Sequence, residues 1–247
     1  MNSNYLDYKK KFDIYGYFIF KDFLSKDFVS KLIDDINKAS DIEKYFDNTN
    51  NLRRIEKIYD KGKNLIDLND KILILLNDVF EKKFTIFKDK FNSKPPGGEG
   101  FFAHYDGIFK FVDSNNSKKN GWYEYGDFFL NALLAIDNCD KNNGSIELAK
   151  FHKGNFFDLY ENTKKDGTPA LSKEVEDKTS FDLIDLNVGD LVVFLNTCPH
   201  RSKKNNSKKD RRIIYYTYSL SKNGSKYNEY FNDKKKSKGK SKALSEK

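Results

Sequence analysis

The sequence predicts a mainly β fold of the sandwich or jelly-roll type, braced by helices near its N-terminus. From Phe84 onward, short aromatic and β-branched runs ("FTIF", "GFFAHYDGIFKFV", "DFFLNALLAI", "SIELAKF", "FDLIDL", "DLVVFLN" and "RRIIYYTYSL") are cut by Gly, Asn, Asp and Pro. Little helical period separates these segments, which is the pattern of a layered or closed β architecture. Helical periodicity sits in the first third instead, as expected of helices that cover one face of a sheet. At 247 residues the chain fits one domain, expected over 1–232, with a disordered Lys-rich tail over 233–247.

In order, "YGYFIF" at 15–20 reads as a short strand. The helix that follows has Ser25 as N-cap and Phe28, Val29, Leu32, Ile33 and Ile36 along one face. A second helix is expected to begin near Asn69 and turn Ile72, Leu75, Leu76, Val79 and Phe80 inward. The tract between them, "DNTNNLRRIEKIYDKGKN", reads as too polar for the core. Among the strands, two longer polar tracts at 113–126 and 162–180 are candidate lid loops.

Charge and composition narrow the function classes. Seven lysines against Asp233 and Glu246 put +5 of the formal +8 into residues 233–247, leaving a nearly balanced body. Nucleic-acid binding is therefore not expected, and the tail reads as a solubilising end. The longest aliphatic run, "ILILL" at 72–76, is too short to span a bilayer, and the first residues lack the apolar stretch of a secretory signal. A cytoplasmic protein without membrane contact is expected, with Cys139 and Cys198 as reduced thiols.

The three histidines carry the chemistry. In a strand, residues i and i+2 share a face, so His104 and Asp106 set an imidazole and a carboxylate side by side. One further imidazole completes a 2-His-1-carboxylate facial triad, the arrangement that holds non-haem Fe(II) and leaves positions open. His200, just past the end of a buried strand, is the better third ligand, and His152 reads as a hydrogen-bonding loop residue. A dicarboxylate co-substrate would call for a guanidinium, and alternation turns only one of Arg211 and Arg212 inward. Strand pattern alone leaves that choice open.

Four stretches together resemble the phytanoyl-CoA dioxygenase family of Fe(II)/2-oxoglutarate oxygenases: "GYFIFKDFLSKDFVSKLIDDI", "KPPGGEGFFAHYD", "IDNCDKNNGSIELAKFHKGN" and "GDLVVFLNTCPHRSKKNNSKKDRRIIYYTY". The last is the most specific, with His200, Ser202, Asn205, Ser207 and Arg211 in the family frame, which selects Arg211 over Arg212. The resemblance implies a double-stranded β-helix with Fe(II) on His104, Asp106 and His200, and 2-oxoglutarate on the metal and Arg211. Ser202, Asn92 and Asn131 are implied as further co-substrate contacts, with a core hydrogen-bond network as the alternative role for Asn131. It also implies O2-dependent hydroxylation of an unactivated C–H bond in a small-molecule metabolite, with release of succinate and CO2. Asp106 argues against halogenating relatives, which lack that carboxylate. Where the family reads Pro-Gly-Ser-His, this chain has Ala149-Lys150-Phe151-His152.

Phe102, Tyr105, Phe109, Lys110, Trp122 and Tyr123 flank the His-x-Asp strand and are candidate substrate contacts. The competing reading is a non-catalytic or 2-oxoglutarate-independent jelly-roll metal-binding protein, which would have no need of Arg211. Substrate identity and oligomeric state are left open by the sequence.

Overall fold

Residues 3–113 and 116–237 are described by a computed structural model of the protein. Before the barrel come α1 (Ser3–Tyr15), β1 (Tyr17–Phe20), α2 (Lys26–Lys38), β2 (Glu43–Phe46), β3 (Leu52–Glu56) and α3 (Lys63–Phe80). The barrel strands follow: β4 (Phe84–Lys94), β5 (Phe101–His104), β6 (Phe111–Val112), β7 (Lys118–Lys119), β8 (Phe129–Ala135) and β9 (Ile146–Leu148). Next are α4 (Phe156–Glu161), α5 (Lys173–Lys178), β10 (Asp182–Leu183), β11 (Leu191–Leu195), β12 (His200–Ser202), β13 (Arg211–Leu220) and α6 (Tyr227–Ser237).

A seven-stranded sheet, ordered β1-β11-β8-β13-β4-β3-β2, faces a four-stranded sheet, β10-β9-β12-β5, and every named pairing is antiparallel. This is the expected jelly roll. Strand alternation sorts its two cores. Ile214, Tyr216 and Tyr218 of β13, with Leu130, Ala132 and Leu134 of β8, pack outward against α1, α2 and α3. Ile213 and Tyr215, with Leu133, Ala135, Val192 and Phe194, pack inward against Ile146 and Leu148 of the smaller sheet and against Ile184 and Leu186, which follow β10. The functional side chains occupy the mouth of that inner layer.

Several expectations need correction. α1 precedes the expected opening strand. α2 starts as expected, with the Ser25 hydroxyl accepting from Phe28 N at 3.2 Å. α3 begins at Lys63 rather than near Asn69, because Asp35 of α2 accepts from Asn64 N at 2.8 Å and caps the helix from outside. The tract considered too polar for the core contains β3, whose Ile55 and Glu56 are buried, and Ile58 beyond it. The short helices α4 and α5 lie among the strands, and α6 follows the last of them, so helices are not confined to the first third. α6 also carries order past the boundary expected at 232. Tyr227 donates to Asp89 Oδ1 at 2.8 Å, and Lys234 pairs with buried Glu56. The rest of the tail, 238–247, lies outside the described residues. No helix among them is long and apolar enough to cross a membrane.

Candidate metal centre and its cavity

Pairing of β5 with β12 sets His104 directly opposite His200, and their rings lie 4.1 Å apart between centroids. Asp106 follows the end of β5, where its N–H donates to Asn196 O at 3.0 Å and its carbonyl accepts from Asn196 Nδ2 at 3.1 Å. One ligand atom from each of His104, Asp106 and His200 lies within 4.8 Å of the others. His104 Nδ1 donates to Phe102 O at 2.8 Å, and His200 Nδ1 donates to Cys198 O at 3.0 Å. Both rings are thereby fixed as the tautomer with a free Nε2 lone pair. His200 Nε2 approaches Asp106 Oδ2 to 3.6 Å.

Electrostatics hold this set in the form a cation requires. Burial, reinforced by His200, pushes the His104 imidazole down to about 3. Burial also lowers His200. Burial works against ionisation of Asp106, but His200, Lys90, His104 and Lys88 together bring its carboxyl down to about 2. Two neutral imidazoles and one carboxylate therefore face each other at neutral pH, the donor set suited to a divalent transition metal.

Asn131, expected as a co-substrate contact, has another task. Its Nδ2 donates to Asp106 Oδ2 at 2.9 Å, and its Oδ1 accepts from Thr217 Oγ1 at 2.8 Å. With both ends of the amide engaged and the residue 1% exposed, it orients the carboxylate and does not line the cavity beside the donors.

Beside the donors, a cavity is lined by Asn92, Lys94, His104, His200, Ser202 and Arg211, with Arg53, Lys90 and Tyr215 completing the wall. Arg211 is buried here, and its Nε has no hydrogen-bond partner among the described residues. Arg212 points away, forming a two-toothed pair with Asp137 at 2.8 Å for each contact. The alternation left open by sequence is thus resolved in favour of Arg211. Ser202 Oγ accepts from Lys94 Nζ at 2.8 Å, which leaves its own hydroxyl proton for another acceptor. Asn205 and Ser207 shape the preceding loop: Asn205 Nδ2 donates to Lys94 O and Lys209 O, both at 2.8 Å, and its Oδ1 accepts from Ser207 N at 2.9 Å.

The proposed substrate contacts separate. Phe102 is 44% exposed, 5.5 Å from the His104 ring. Lys110 lies over Tyr160, its ammonium 4.4 Å from the ring centroid, while Phe109 and Tyr123 are half-buried. Tyr105 does not line the cavity. Between His104 and Asp106 it must face the other way, and it is buried with Ala103, Ile108 and Leu171. There its hydroxyl shares a hydrogen bond with His152 Nδ1 and accepts from Asn162 Nδ2. Trp122 is likewise buried, against Phe87 and Phe129. The loop lacking the family's Pro-Gly-Ser is pinned by backbone bonds from Phe151 to Tyr15 O and from His152 to Thr197 O. The 162–180 tract runs alongside β5: Ala170 bridges to His104, and Leu171 N donates to Ala103 O at 2.8 Å.

Sequence reading missed Lys88, Lys90 and Lys94. They share the inner face of β4 with Asn92, and the period-two pattern in "KDKFNSK" carried that signal.

A jelly roll with two histidines and a carboxylate converging at its mouth defines the class of non-haem metal proteins built on this barrel. The phytanoyl-CoA dioxygenase (PhyH) family model matches residues 12–213, and the chain belongs to that family. It is 25% identical over 162 residues to a 2-aminoethylphosphonate dioxygenase from uncultured bacterium HF130_AEPn_1, covering 65% of this chain and 55% of the relative. It is 26% identical over 153 residues to a methylphosphonate hydroxylase from Gimesia maris, covering 62% and 52%. The chain thus spans about half the length of the curated relatives it matches. Among solved structures, the non-heme alpha-ketoglutarate-dependent epimerase SnoN from nogalamycin biosynthesis superposes with TM-score 0.68 at 12% identity, over 90% of this chain and 85% of that one. EctD from S. alaskensis gives TM-score 0.66 at 16% identity, over 87% and 76%.

Proposed function

We propose that this protein is an Fe(II)/2-oxoglutarate-dependent oxygenase that hydroxylates an unactivated C–H bond of a small metabolite. The observation that carries the reading is that Arg211, with an unpartnered buried Nε, opens into the same cavity as His104 and His200. A metal site of structural purpose has no use for such a guanidinium. The named substrates of the phosphonate-oxidising relatives favour a small molecule over a macromolecule.

His104 Nε2, His200 Nε2 and the Asp106 carboxylate would hold the iron; Arg211, Ser202 and Asn92 would hold the co-substrate. When bound, iron and 2-oxoglutarate supply an O2-dependent oxidation in which 2-oxoglutarate becomes succinate and CO2 and the substrate C–H becomes C–OH. The chain's own contribution is positioning. Asn131 fixes the carboxylate, and the Phe102 and Cys198 carbonyls fix the imidazoles.

Calorimetric titration of 2-oxoglutarate into Mn(II)-loaded protein tests the assignment. Tight binding that disappears in His200→Ala and weakens roughly 10- to 100-fold in Arg211→Gln is expected. Metal binding without any 2-oxoglutarate binding would favour the 2-oxoglutarate-independent alternative.

A further inference from the structure

The inner face of β4 carries more positive charge than the metal and co-substrate account for. In register across β4 and β13, Lys94 faces Arg211, Asn92 faces Ile213, Lys90 faces Tyr215 and Lys88 faces Thr217. At ~3.4 Å per residue, Thr217 lies roughly 20 Å along the strand from Arg211. Thr217 is also the residue that supports Asn131, and through it Asp106. The lysines at 88 and 90 thus sit at and beyond the metal donors, at the end of the row away from the guanidinium.

Neither ammonium has an acceptor. Lys88 is 9% exposed and lies over Trp122 at 4.8 Å and Tyr230 at 5.5 Å; half-buried Lys90 lies over Tyr215 at 4.5 Å. Among the described residues neither makes a hydrogen bond or an ion pair. Ring faces compensate such a charge only in part, and the carboxylates of Asp106 and Glu56 act on both ammoniums only at a distance, without a hydrogen bond to either. Nearby Glu56 is already engaged by Lys234 and Arg54. Nor does the proposed chemistry supply the missing charge. Fe(II) with Arg211 is cancelled by Asp106 with dianionic 2-oxoglutarate, leaving the ammoniums of Lys88, Lys90 and Lys94 over, of which Lys94 is hydrogen-bonded to Ser202 Oγ and to the carbonyls of Gly144 and Lys203.

We propose that Lys88 and Lys90 form an oxyanion subsite for the primary substrate, which carries a dianionic or carboxylate head group held on the far side of the metal from Arg211. The proposal rests on the oxygenase reading and narrows its substrate class. Head group and reacting carbon would then lie close together, because Lys90 lines the same cavity as His104 and His200.

Sulfate, a dianion that binds iron weakly, is the probe. It is titrated by calorimetry into protein saturated with Mn(II) and 2-oxoglutarate, against sodium chloride at matched ionic strength. One sulfate is expected to bind, at least tenfold more weakly in Lys88→Gln and in Lys90→Gln, and within a few-fold of wild type in Lys90→Arg. Lys90→Met should keep the wild-type Tm or raise it. No sulfate binding by the wild type, unchanged binding in both glutamine variants, or a Tm loss of several degrees in Lys90→Met would overturn the subsite. A parallel titration uses metal-free Arg211→Gln, in which the co-substrate clamp is gone. Sulfate binding there, together with no 2-oxoglutarate binding by the Mn(II)-loaded wild type, would sink the oxygenase reading and spare the anion site. The reverse pattern would sink the anion site alone.

Discussion

Replacing Asn131 with leucine separates the role seen in the structure from the one expected of it. The two side chains are similar in volume, so little cavity is created. What is lost is the bridge in which Thr217 donates to Asn131 at 2.8 Å and Asn131 donates to Asp106 at 2.9 Å. Thr217, 2% exposed, is left with a buried unsatisfied hydroxyl at a cost of about 1–3 kcal/mol. Asp106 loses a hydrogen bond to a charged acceptor, about 1.5–3 kcal/mol, and the more apolar side chain returns part of this. A net loss of about 2–4 kcal/mol corresponds to a Tm fall of roughly 4–16 °C at this chain length. Losing the group that orients a ligating carboxylate should weaken metal binding about 10- to 100-fold. Thermal unfolding and Mn(II) titration read the two effects. Adding Thr217→Val removes the orphaned hydroxyl, so the double variant should regain stability but not metal affinity. Wild-type metal affinity in Asn131→Leu would refute the reasoning.

Two further predictions concern stability. Burial opposes ionisation of Glu56, yet Lys234 and Arg54 overcome it and hold its carboxyl at about 2, below its ordinary 4.5. A carboxyl with a depressed folded-state pKa contributes stability that is complete above its unfolded value and fades as pH falls through the folded one. Unfolding followed from pH 5 to 2 should therefore show a steep acid limb that is shallower in Glu56→Gln; identical limbs would remove Glu56 from the account. Gly189 has φ +89°, and a Cβ there would lie 2.0 Å from Leu24 O. Gly189→Ala should cost at least about 2 kcal/mol, combining left-handed strain with the backbone clash, and an unchanged Tm would show that the turn before β11 yields freely.

How much of this was legible depended on whether the cause was local. His104 with Asp106, and Arg211 with Tyr215, obey period-two alternation, so strand spacing alone placed them on common faces. The same rule, applied to Tyr105, would have excluded it from the cavity, and applied to "KDKFNSK" would have found the lysines of β4. The start of α3 was not legible, because its cap comes from Asp35 on another helix. Burial of Glu56 was hidden for the same reason: its partner Lys234 lies 178 residues away in a stretch whose composition reads as disordered. Asn131, polar in an apolar strand, read either as a ligand contact or as a member of a core network, and only the fold, which brings Thr217 and Asp106 to its two ends, decides for the network.

The central claim is that one cavity holds Fe(II) and 2-oxoglutarate together. It is tested most directly by adding both, without O2, to the purified protein and recording the visible spectrum. A charge-transfer band of the iron–2-oxoglutarate chelate is predicted, absent in His200→Ala and requiring at least tenfold more 2-oxoglutarate in Arg211→Gln. Iron binding without the band in wild-type protein would contradict the account and leave a metal-binding jelly roll that does not use 2-oxoglutarate.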